Sequence, residues 1–401
     1  MNIHLKSLRA VPFLLCVVMV LQPTVSLSAY PMLLPLSYLI QAMSLLGCLF
    51  MALVSMSHPR FSLYALLVAL HFFLLILFTV LRGNDIRHSV FMSANVLLLI
   101  LLFHYYSHRT RLLLLALAAA FSAAIYAAVL QILIFPQTLF ASDNAFTGFL
   151  LGGNYNQMGC RLLCGILCSA LCARYHWLWR VNTVAIILFS VAALSVVGSM
   201  TSLSGILILV ALALIPSRRL HLSSLAAFFI LYLLFHVIVV FSGEALHNND
   251  LARYVIEDLL GKDMTFTNRT GMWDAALRLI SRSPLFGYGY VDHEWYLSNM
   301  STFAIGPHNQ VLATLIFGGP LLLAVYIAAF ATAVWRTVKS RPERTGTLIL
   351  SGIITLLFMM TFEYYDPFFI FLLFTLAWHY PEIVYTHRRL SAPSLSTSNS
   401  F

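Results

Sequence analysis

The amino-acid sequence predicts an all-α polytopic membrane protein with about twelve transmembrane helices and one long loop on the outer side. Hydrophobic residues make up 61% of the 401-residue chain and charged residues only 9%, and the mean hydropathy is +0.89. A soluble domain carries about 25% charged residues. Apolar runs of about 20 residues can cross the ~30 Å hydrocarbon layer as helices, which satisfy their own backbone hydrogen bonds there. Such runs lie near residues 10–28, 32–56, 62–81, 88–106, 112–135, 157–174, 181–198, 200–216, 221–241, 309–335, 347–362 and 367–381.

These runs divide the chain into four parts. Spans one to nine occupy residues 1–241, a long outer loop follows at 242–308, spans ten to twelve occupy 309–386, and a tail follows at 387–401. Lys and Arg are retained on the cytoplasmic side of membrane proteins, and the basic residues agree best with an orientation in which both termini are cytoplasmic. The formal net charge of +9 is therefore mostly a signal of topology, and no nucleic-acid partner is predicted.

The long outer loop contains arginines on the side of the membrane where basic residues are otherwise depleted. A helix is predicted over residues 269–282, with Arg269 at its start and with Arg278 and Arg282 on one face, because they are four residues apart. Guanidinium groups form bidentate, charge-assisted bonds to phosphates. The three arginines therefore predict a phosphate or diphosphate headgroup as ligand. Alternatively, they are ordinary loop arginines paired with nearby acids such as Asp274.

A histidine stands where the tenth span begins, in the sequence Gly306-Pro-His-Asn309. A neutral imidazole at His308 can accept a proton from a hydroxyl nucleophile; alternatively, the residue only caps the helix. Glu363 and Asp366 lie in the last outer loop. They can orient an acceptor or balance the arginines, or they are ordinary loop acids.

Polar residues also interrupt the middle spans. Arg161 lies within the sixth span, where an arginine is costly unless it faces a partner or a wet cavity, so that it marks function by default. The alternative is that its side chain extends to the outer interface. The seventh and eighth spans meet at residues 198–205, a stretch rich in hydroxyl groups. These hydroxyls can line a cavity or satisfy the backbone of a tight hairpin.

Four of the six cysteines recur at every fourth residue of the sixth span. This spacing places Cys160, Cys164, Cys168 and Cys172 on one helix face, where small polarizable side chains pack against a neighbouring helix. Four consecutive turns are too long for one tetrahedral zinc site. No metal site and no cofactor are predicted.

Several motifs of the loop and the following span together resemble a known family. They are similar to motifs of the O-antigen ligase and O-antigen or exopolysaccharide polymerase superfamily of Gram-negative inner membranes. In chain order they are R-x-x-x-W, S-P-L-F-G-Y-G, and P-H-N-Q-x-L running into a helix with G-G-P. The matching residues are Arg269, Trp273, Ser283, Pro284, Leu285, Phe286, Gly287, Gly289, His308, Asn309, Leu312 and Gly318. Asn154 and Asn156 resemble the asparagine motif that this family carries before a middle span. The resemblance covers about residues 150–335.

This resemblance implies a helical membrane glycosyltransferase of the C-type architecture. Such an enzyme works at the periplasmic face of the bacterial inner membrane on an undecaprenyl-diphosphate-linked oligosaccharide, without a metal ion or cofactor. Carried over by position, Arg269 holds the diphosphate and His308 activates or positions the acceptor hydroxyl. Asn154, Asn156, Asn309, Glu363 and Asp366 are expected to line the acceptor cavity. The reaction is expected to invert the anomeric carbon, with arginine stabilising the leaving group.

The sequence differs from the family pattern at one place. Many members carry a Ser-Arg pair at the junction of the seventh and eighth spans, where this chain has Ser199-Met200. Arg161, or Arg82 and Arg87 in an earlier outer loop, are candidates for the missing charge. The difference favours a polymerase of surface polysaccharide. Its expected partners are membrane lipid and a chain-length regulator. The alternative is a ligase that joins the glycan to lipid A-core, and more distant alternatives are a polysaccharide flippase or transporter and a non-catalytic assembly partner.

Overall fold

Helices and short connections make up the parts of the chain that the structure describes. It is a computed structural model, and it describes residues 7–22, 31–56, 61–135, 155–215, 217–242, 269–300, 306–340 and 343–391. No strand occurs within these ranges. The prediction of an all-α polytopic membrane protein is confirmed.

The α-helices follow one another along the chain with short turns between most of them. They are α1 Ser7–Leu21, α2 Leu34–Ser55, α3 Leu63–Leu81, α4 Ile86–Tyr105, α5 Thr110–Ile134, α6 Tyr155–Cys172, α7 Trp177–Val197, α8 Met200–Leu214, α9 Arg218–Phe235, α10 Arg269–Arg282, α11 His293–Asn299, α12 Gln310–Lys339, α13 Arg344–Phe362, α14 Pro367–Trp378 and α15 Tyr380–Ser391. A π-helical turn, His236–Val240, extends α9.

Each of the twelve predicted spans contains a helix. Eight helical segments of the described chain are long and apolar enough to cross a membrane; they comprise α2, α3, α4, α5, α7, α9, α12 and α13. The other four predicted spans hold α1, α6, α8 and α14. Of these, α1, α8 and α14 are shorter, and α6 carries Asn156, Gln157 and Arg161 in its first two turns.

The centre of the helix assembly is formed by α14. Every residue from Phe368 to Ala377 is buried, as expected for a helix that is apolar on all sides. By contrast, α7 and α9 bury only 22% of their most apolar stretch. In a membrane protein such exposed apolar faces contact lipid, so α7 and α9 lie at the rim.

A break in α12 shapes the end of the assembly that contains the predicted site residues. Gly318 (φ −153°, ψ 19°) and Gly319 (φ 63°, ψ −164°) depart from helical geometry, and Pro320 follows them. Proline has no N–H, so the helix leaves the carbonyl of Ile316 without its usual donor. The N–H of Tyr288 supplies one at 2.7 Å.

The Ser283–Gly289 motif forms the turn that fills this break. Its Gly289 N–H donates to the carbonyl of Phe317 at 2.9 Å. Gly287 and Gly289 have φ angles of +58° and +72°, and a Cβ on Gly287 would lie 2.4 Å from the oxygen of Ile316. Only glycine fits this conformation and this close approach. The turn thus positions α10, which precedes it, against α12.

Candidate functional site

Three polar side chains from distant parts of the chain meet at one end of the assembly. Arg269 is the first residue of α10, His308 precedes α12, and Glu363 follows α13. The Nη2 atom of Arg269 donates to Oε1 of Glu363 at 2.9 Å, and Nδ1 of His308 donates to Oε2 at 2.9 Å. One carboxylate therefore binds both the arginine and the histidine that the sequence singles out.

The three side chains differ in exposure. The side chain of Glu363 is 2% exposed, whereas those of Arg269 and His308 are 19% and 14% exposed. A buried carboxylate is costly unless charge and hydrogen bonds compensate it, and the two donors do so. Arg269 and His308 remain within reach of an incoming ligand, while Glu363 lies behind them.

The backbone of His308 has an uncommon conformation. Its φ of 44° is the one positive value at a non-glycine residue in the described chain. Such a conformation costs about 1–2 kcal/mol and persists only where the surroundings impose it. Just before it, Gly306 packs on Tyr364, and a Cβ there would lie 2.4 Å from a ring atom. The segment that carries His308 is therefore held against the Glu363 loop.

Asn309 anchors the same segment from the other side. Its Oδ1 accepts the N–H groups that begin α12, and its Nδ2 donates to the carbonyl of Thr361 at 3.0 Å and to Nε2 of His236 at 2.9 Å. His236 Nδ1 in turn donates to the carbonyl of Tyr232 at 2.8 Å, which assigns its proton to Nδ1. His236 is not among the residues predicted from the sequence. A histidine within an apolar span is the signal that could have found it.

The helix α10 is seated by the tryptophan of the R-x-x-x-W motif. Trp273 is fully buried and meets Phe235 edge to face, with ring centroids 6.1 Å apart. Arg269 lies one turn earlier, with its guanidinium carbon 5.9 Å from the ring centre of Phe362. The prediction of a helix over residues 269–282 is confirmed, and its Trp273 and Ala276 lie in a buried apolar cluster.

The start of α6 approaches the Glu363 loop as well. Gln157 Nε2 donates to the carbonyl of Tyr364. Asn156 accepts a hydrogen bond from Ser199 at 3.4 Å through Oδ1, and one from Ser202 at 3.3 Å through its carbonyl. These two hydroxyls of the 198–205 stretch therefore tie α8 to α6. Asn154 lies outside the described residues.

Arg161 and Asp366 are two further charged side chains near this loop, and each affects the other electrostatically. Arg161 is 3% exposed, and its guanidinium carbon lies 5.3 Å from the ring centre of Phe369. Asp366 caps α14 by accepting the N–H of Phe368 at 2.8 Å. Burial raises the pKa of Asp366 to about 6, against the lowering effects of this hydrogen bond and of the Arg161 charge. Arg161 therefore has a charged neighbour, as its place in a span requires.

Tyr364 lies between the two acids of the loop. Burial, and then the charges of Glu363 and Asp366, raise its pKa to about 12. Both predicted acids thus belong to one loop that is approached by Arg269 from α10, by Gln157 and Arg161 from α6, and by His308 from the segment before α12.

The four remaining predicted arginines have their contacts elsewhere. Arg82 donates to Ser283 and lies over the ring of Tyr288, and Arg87 lies over Tyr38. Arg278 pairs with Asp274 one turn away on the exposed face of α10, which is the alternative that the sequence left open, and Arg282 is exposed. The diphosphate-binding role of these four stays a prediction.

The cysteine face of α6 is packed as its spacing predicts. Cys160, Cys164, Cys168 and Cys172 are free thiols buried in the core. Across the described ranges, no group of His, Cys, Asp and Glu is arranged to hold a metal ion.

The comparison with known proteins identifies the segment that contains this site. Residues 182–327 match the family described as O-antigen ligase. The match runs from α7 into α12 and includes Arg269 and His308, while Glu363 lies after it. No curated protein shows detectable similarity to the chain. The motifs, the helical membrane fold and this match agree, and together they support the O-antigen ligase and polymerase superfamily.

Proposed function

We propose that the protein transfers a glycan from undecaprenyl diphosphate to a sugar hydroxyl at the periplasmic face of the bacterial inner membrane. The observation that carries the proposal is the Glu363 carboxylate, which binds Arg269 and His308 at 2.9 Å each. It couples a cation suited to a diphosphate with a base suited to a hydroxyl. Both residues lie in the segment that matches the O-antigen ligase family.

His308 is the proposed general base. A carboxylate can only accept a hydrogen bond, so the contact with Glu363 assigns the proton of a neutral His308 to Nδ1 and leaves the lone pair on Nε2. Nε2 can then take the proton of an acceptor hydroxyl within hydrogen-bond reach. Glu363 also stabilises the imidazolium that this transfer creates.

Arg269 is the proposed ligand of the diphosphate. Guanidinium has five N–H donors, and the bond to Glu363 uses one of them. The others can hold the phosphate oxygens, whose negative charge grows as the diphosphate leaves. Because Arg269 is partly exposed, its guanidinium loses little free energy of hydration in this position.

The reaction follows from these two roles. The acceptor oxygen forms a bond to the anomeric carbon while the bond from that carbon to the diphosphate oxygen breaks. The hydroxyl proton goes to Nε2 of His308, and the electron pair of the broken bond leaves with the diphosphate beside Arg269. Attack from the face opposite the leaving group inverts the anomeric carbon. Asn156, Asn309 and Asp366 remain candidates for the acceptor side of the cavity.

We favour a polymerase, in which the acceptor is another lipid-linked repeat unit and a chain-length regulator can act as partner. This preference rests on Ser199-Met200, where many family members carry Ser-Arg. The second candidate is an O-antigen ligase that joins the glycan to lipid A-core, and the description of the matched family favours it.

Gel profiles of surface polysaccharide from a deletion strain separate these activities. The strain is complemented with wild type, Arg269→Ala or His308→Ala at equal membrane levels. A polymerase predicts lipid A-core capped with a single repeat unit in the deletion, and rescue by wild type alone. A ligase predicts uncapped core with polymer accumulating on the lipid carrier. Full rescue by both variants would overturn catalysis and favour a flippase or transporter.

A transporter is a more distant alternative, and one feature of the structure bears on it. Broken helices in paired halves are typical of transporters. Of the described helices, α12 is the one interrupted by non-helical residues, and its break is occupied by the backbone of Tyr288 and Gly289. This break is therefore better explained as the seat of the Ser283–Gly289 turn than as a substrate site.

A further inference from the structure

A cavity lies at the end of α13 opposite Glu363. It has a volume of about 910 Å³ and lies among the last turns of α6 and α8, the first turns of α7 and α13, and the start of α9. Arg344, the first residue of α13, lines it, and Glu363 follows the last. The 19 residues of α13 rise about 28 Å, close to the hydrocarbon thickness of a bilayer. The cavity therefore lies at the membrane face opposite the site, the face predicted to be cytoplasmic.

The lining of this cavity carries an excess of positive charge. Arg174, Arg180, Arg218 and Arg344 line it, together with a single carboxylate, Glu343. One carboxylate can neutralise at most one of four guanidinium groups. Even with Glu343 fully paired, the cavity keeps a net charge of about +3, which favours an anionic ligand.

Two helix starts add to this charge. Arg218 and Arg344 are the first residues of α9 and α13, which have 18 and 19 residues. The N-terminus of a helix carries about half a positive charge and N–H groups that can bind an anion. The arginines and the two helix N-termini thus both favour binding of an anion in the cavity.

The other wall of the cavity is apolar and open to the membrane. Val184 and Leu214 line it and are 56% and 78% exposed. They belong to α7 and α8, in a membrane protein whose rim helices contact lipid. Trp177, at the start of α7, is also exposed, and tryptophan at a helix end is typical of the level of the lipid headgroups. Positive charge at that level beside exposed apolar side chains matches a phospholipid, with its headgroup on the arginines and its acyl chains along the helices.

Basic residues are common on the cytoplasmic side of any membrane protein, so their number alone carries no argument. Their arrangement does. Arg174 follows α6, Arg180 lies in the first turns of α7, and Arg218 and Arg344 begin two further helices, yet all four line one cavity. Arg219, by comparison, follows Arg218 directly and does not line it.

We propose that this cavity binds the headgroup of an anionic glycerophospholipid from the bilayer. Phosphate is the group that the arginines recognise, and the apolar wall selects a bilayer lipid over a soluble phosphate. The site is separate from the proposed glycan-transfer site, and α13 connects the two.

Native mass spectrometry of the full-length protein tests this proposal. The protein is released from neutral detergent after incubation with phosphatidylglycerol, with zwitterionic phosphatidylcholine, or with soluble glycerol phosphate. The test variant is Arg174→Gln/Arg218→Gln/Arg344→Gln. The control is Arg109→Gln/Arg219→Gln, which removes charge from the same predicted face without touching the cavity lining.

Wild type and control are expected to retain phosphatidylglycerol in preference to phosphatidylcholine. Each lost arginine is expected to weaken retention about fivefold, so that the triple variant weakens it on the order of a hundredfold. Equal retention of the two lipids, or unchanged retention by the triple variant, would overturn the proposal. Glycerol phosphate that competes as well as the lipid would instead make this a soluble-phosphate site. The single variants Arg218→Gln and Arg344→Gln keep the test decisive if the triple variant does not fold.

Discussion

The two arginines beside the 363–366 loop lie in different environments. Arg269 keeps 19% of its side chain exposed and donates to Glu363, which also binds His308. Arg161 is 3% exposed, lies under Phe369 and has the charge of Asp366 nearby. A ligand can reach Arg269 where it stands, whereas it can reach Arg161 only if the surrounding helices move. The comparison separates an arginine that a ligand can reach from an arginine that the protein encloses.

The largest effect on glycan transfer is expected when the guanidinium of Arg269 is removed. Arg269→Ala removes the donor to a leaving diphosphate, and glycan transfer is expected to fall about 100- to 1,000-fold with the helix assembly intact. Arg269→Lys keeps the charge but loses the planar fork, so we expect it to recover only part of the rate. The transfer rate per folded molecule is the measurement.

Arg278→Ala is the matched control for this change. Arg278 lies on the same helix and pairs with Asp274 on an exposed face. If the exposed pair with Asp274 is its whole role, its loss leaves transfer within about twofold of wild type, because exposed pairs contribute about 1 kcal/mol or less. A larger loss would support the diphosphate role that the sequence predicts for Arg278. An Arg269→Ala enzyme as active as this control would remove the diphosphate role from Arg269.

The next effect concerns the carboxylate itself. Glu363→Gln keeps an acceptor for His308 but removes the charge that orients Arg269 and stabilises an imidazolium, so transfer is expected to fall about 10- to 100-fold. Glu294→Gln, on the exposed α11, is the control. Wild-type transfer by Glu363→Gln would show that the carboxylate serves packing alone.

A substitution of Arg161 is expected to lower the stability of the protein rather than its transfer rate. Arg161→Gln removes the charge near Asp366 and replaces a buried side chain, and changes of this kind cost about 0.5–3 kcal/mol. We expect a lower Tm in detergent and less protein in the membrane, with the transfer rate per folded molecule little changed. A normal Tm with lost transfer would instead make Arg161 the second diphosphate ligand that the sequence analysis considered.

The smallest effect is a pH dependence of stability. Burial raises the pKa of Asp366 from 3.8 to about 6, so ionisation of this carboxyl costs free energy in the folded state. The contribution of the neutral Asp366 carboxyl to the free energy of unfolding is fully present below about pH 4. It is lost as the pH rises through about 6. Asp366→Asn cannot ionise, so its Tm should fall less than that of wild type between pH 4 and pH 7. Parallel Tm curves for the two proteins would contradict this assignment.

The sequence predicts the helices and two of the site residues, but it does not predict how those residues contact one another. Apolar runs predict the membrane-spanning helices because they are local patterns. The R-x-x-x-W and P-H-N motifs identify Arg269 and His308 as residues to watch. That both bind Glu363, 94 and 55 residues away, is a result of packing, which no local pattern encodes.

The break in α12 and the role of His236 show the same limit. Gly318-Gly319-Pro320 can be recognised as a helix breaker, but the N–H groups of Tyr288 and Gly289 that occupy the break come from a separate turn. His236 is one of 14 histidines; its place in an apolar span sets it apart in the sequence, and its contact with Asn309 is visible only in the structure.

The most direct test of the central claim is a double-mutant cycle at His308 and Glu363. Transfer from a lipid-diphosphate-linked oligosaccharide is measured for His308→Ala, Glu363→Gln and the double variant, with His293→Ala as the histidine control. If the two residues act as one unit, the double variant loses little more than the worse single variant, because the effects of coupled residues are not additive. If the two losses multiply, His308 and Glu363 act independently, and the account of the site is wrong.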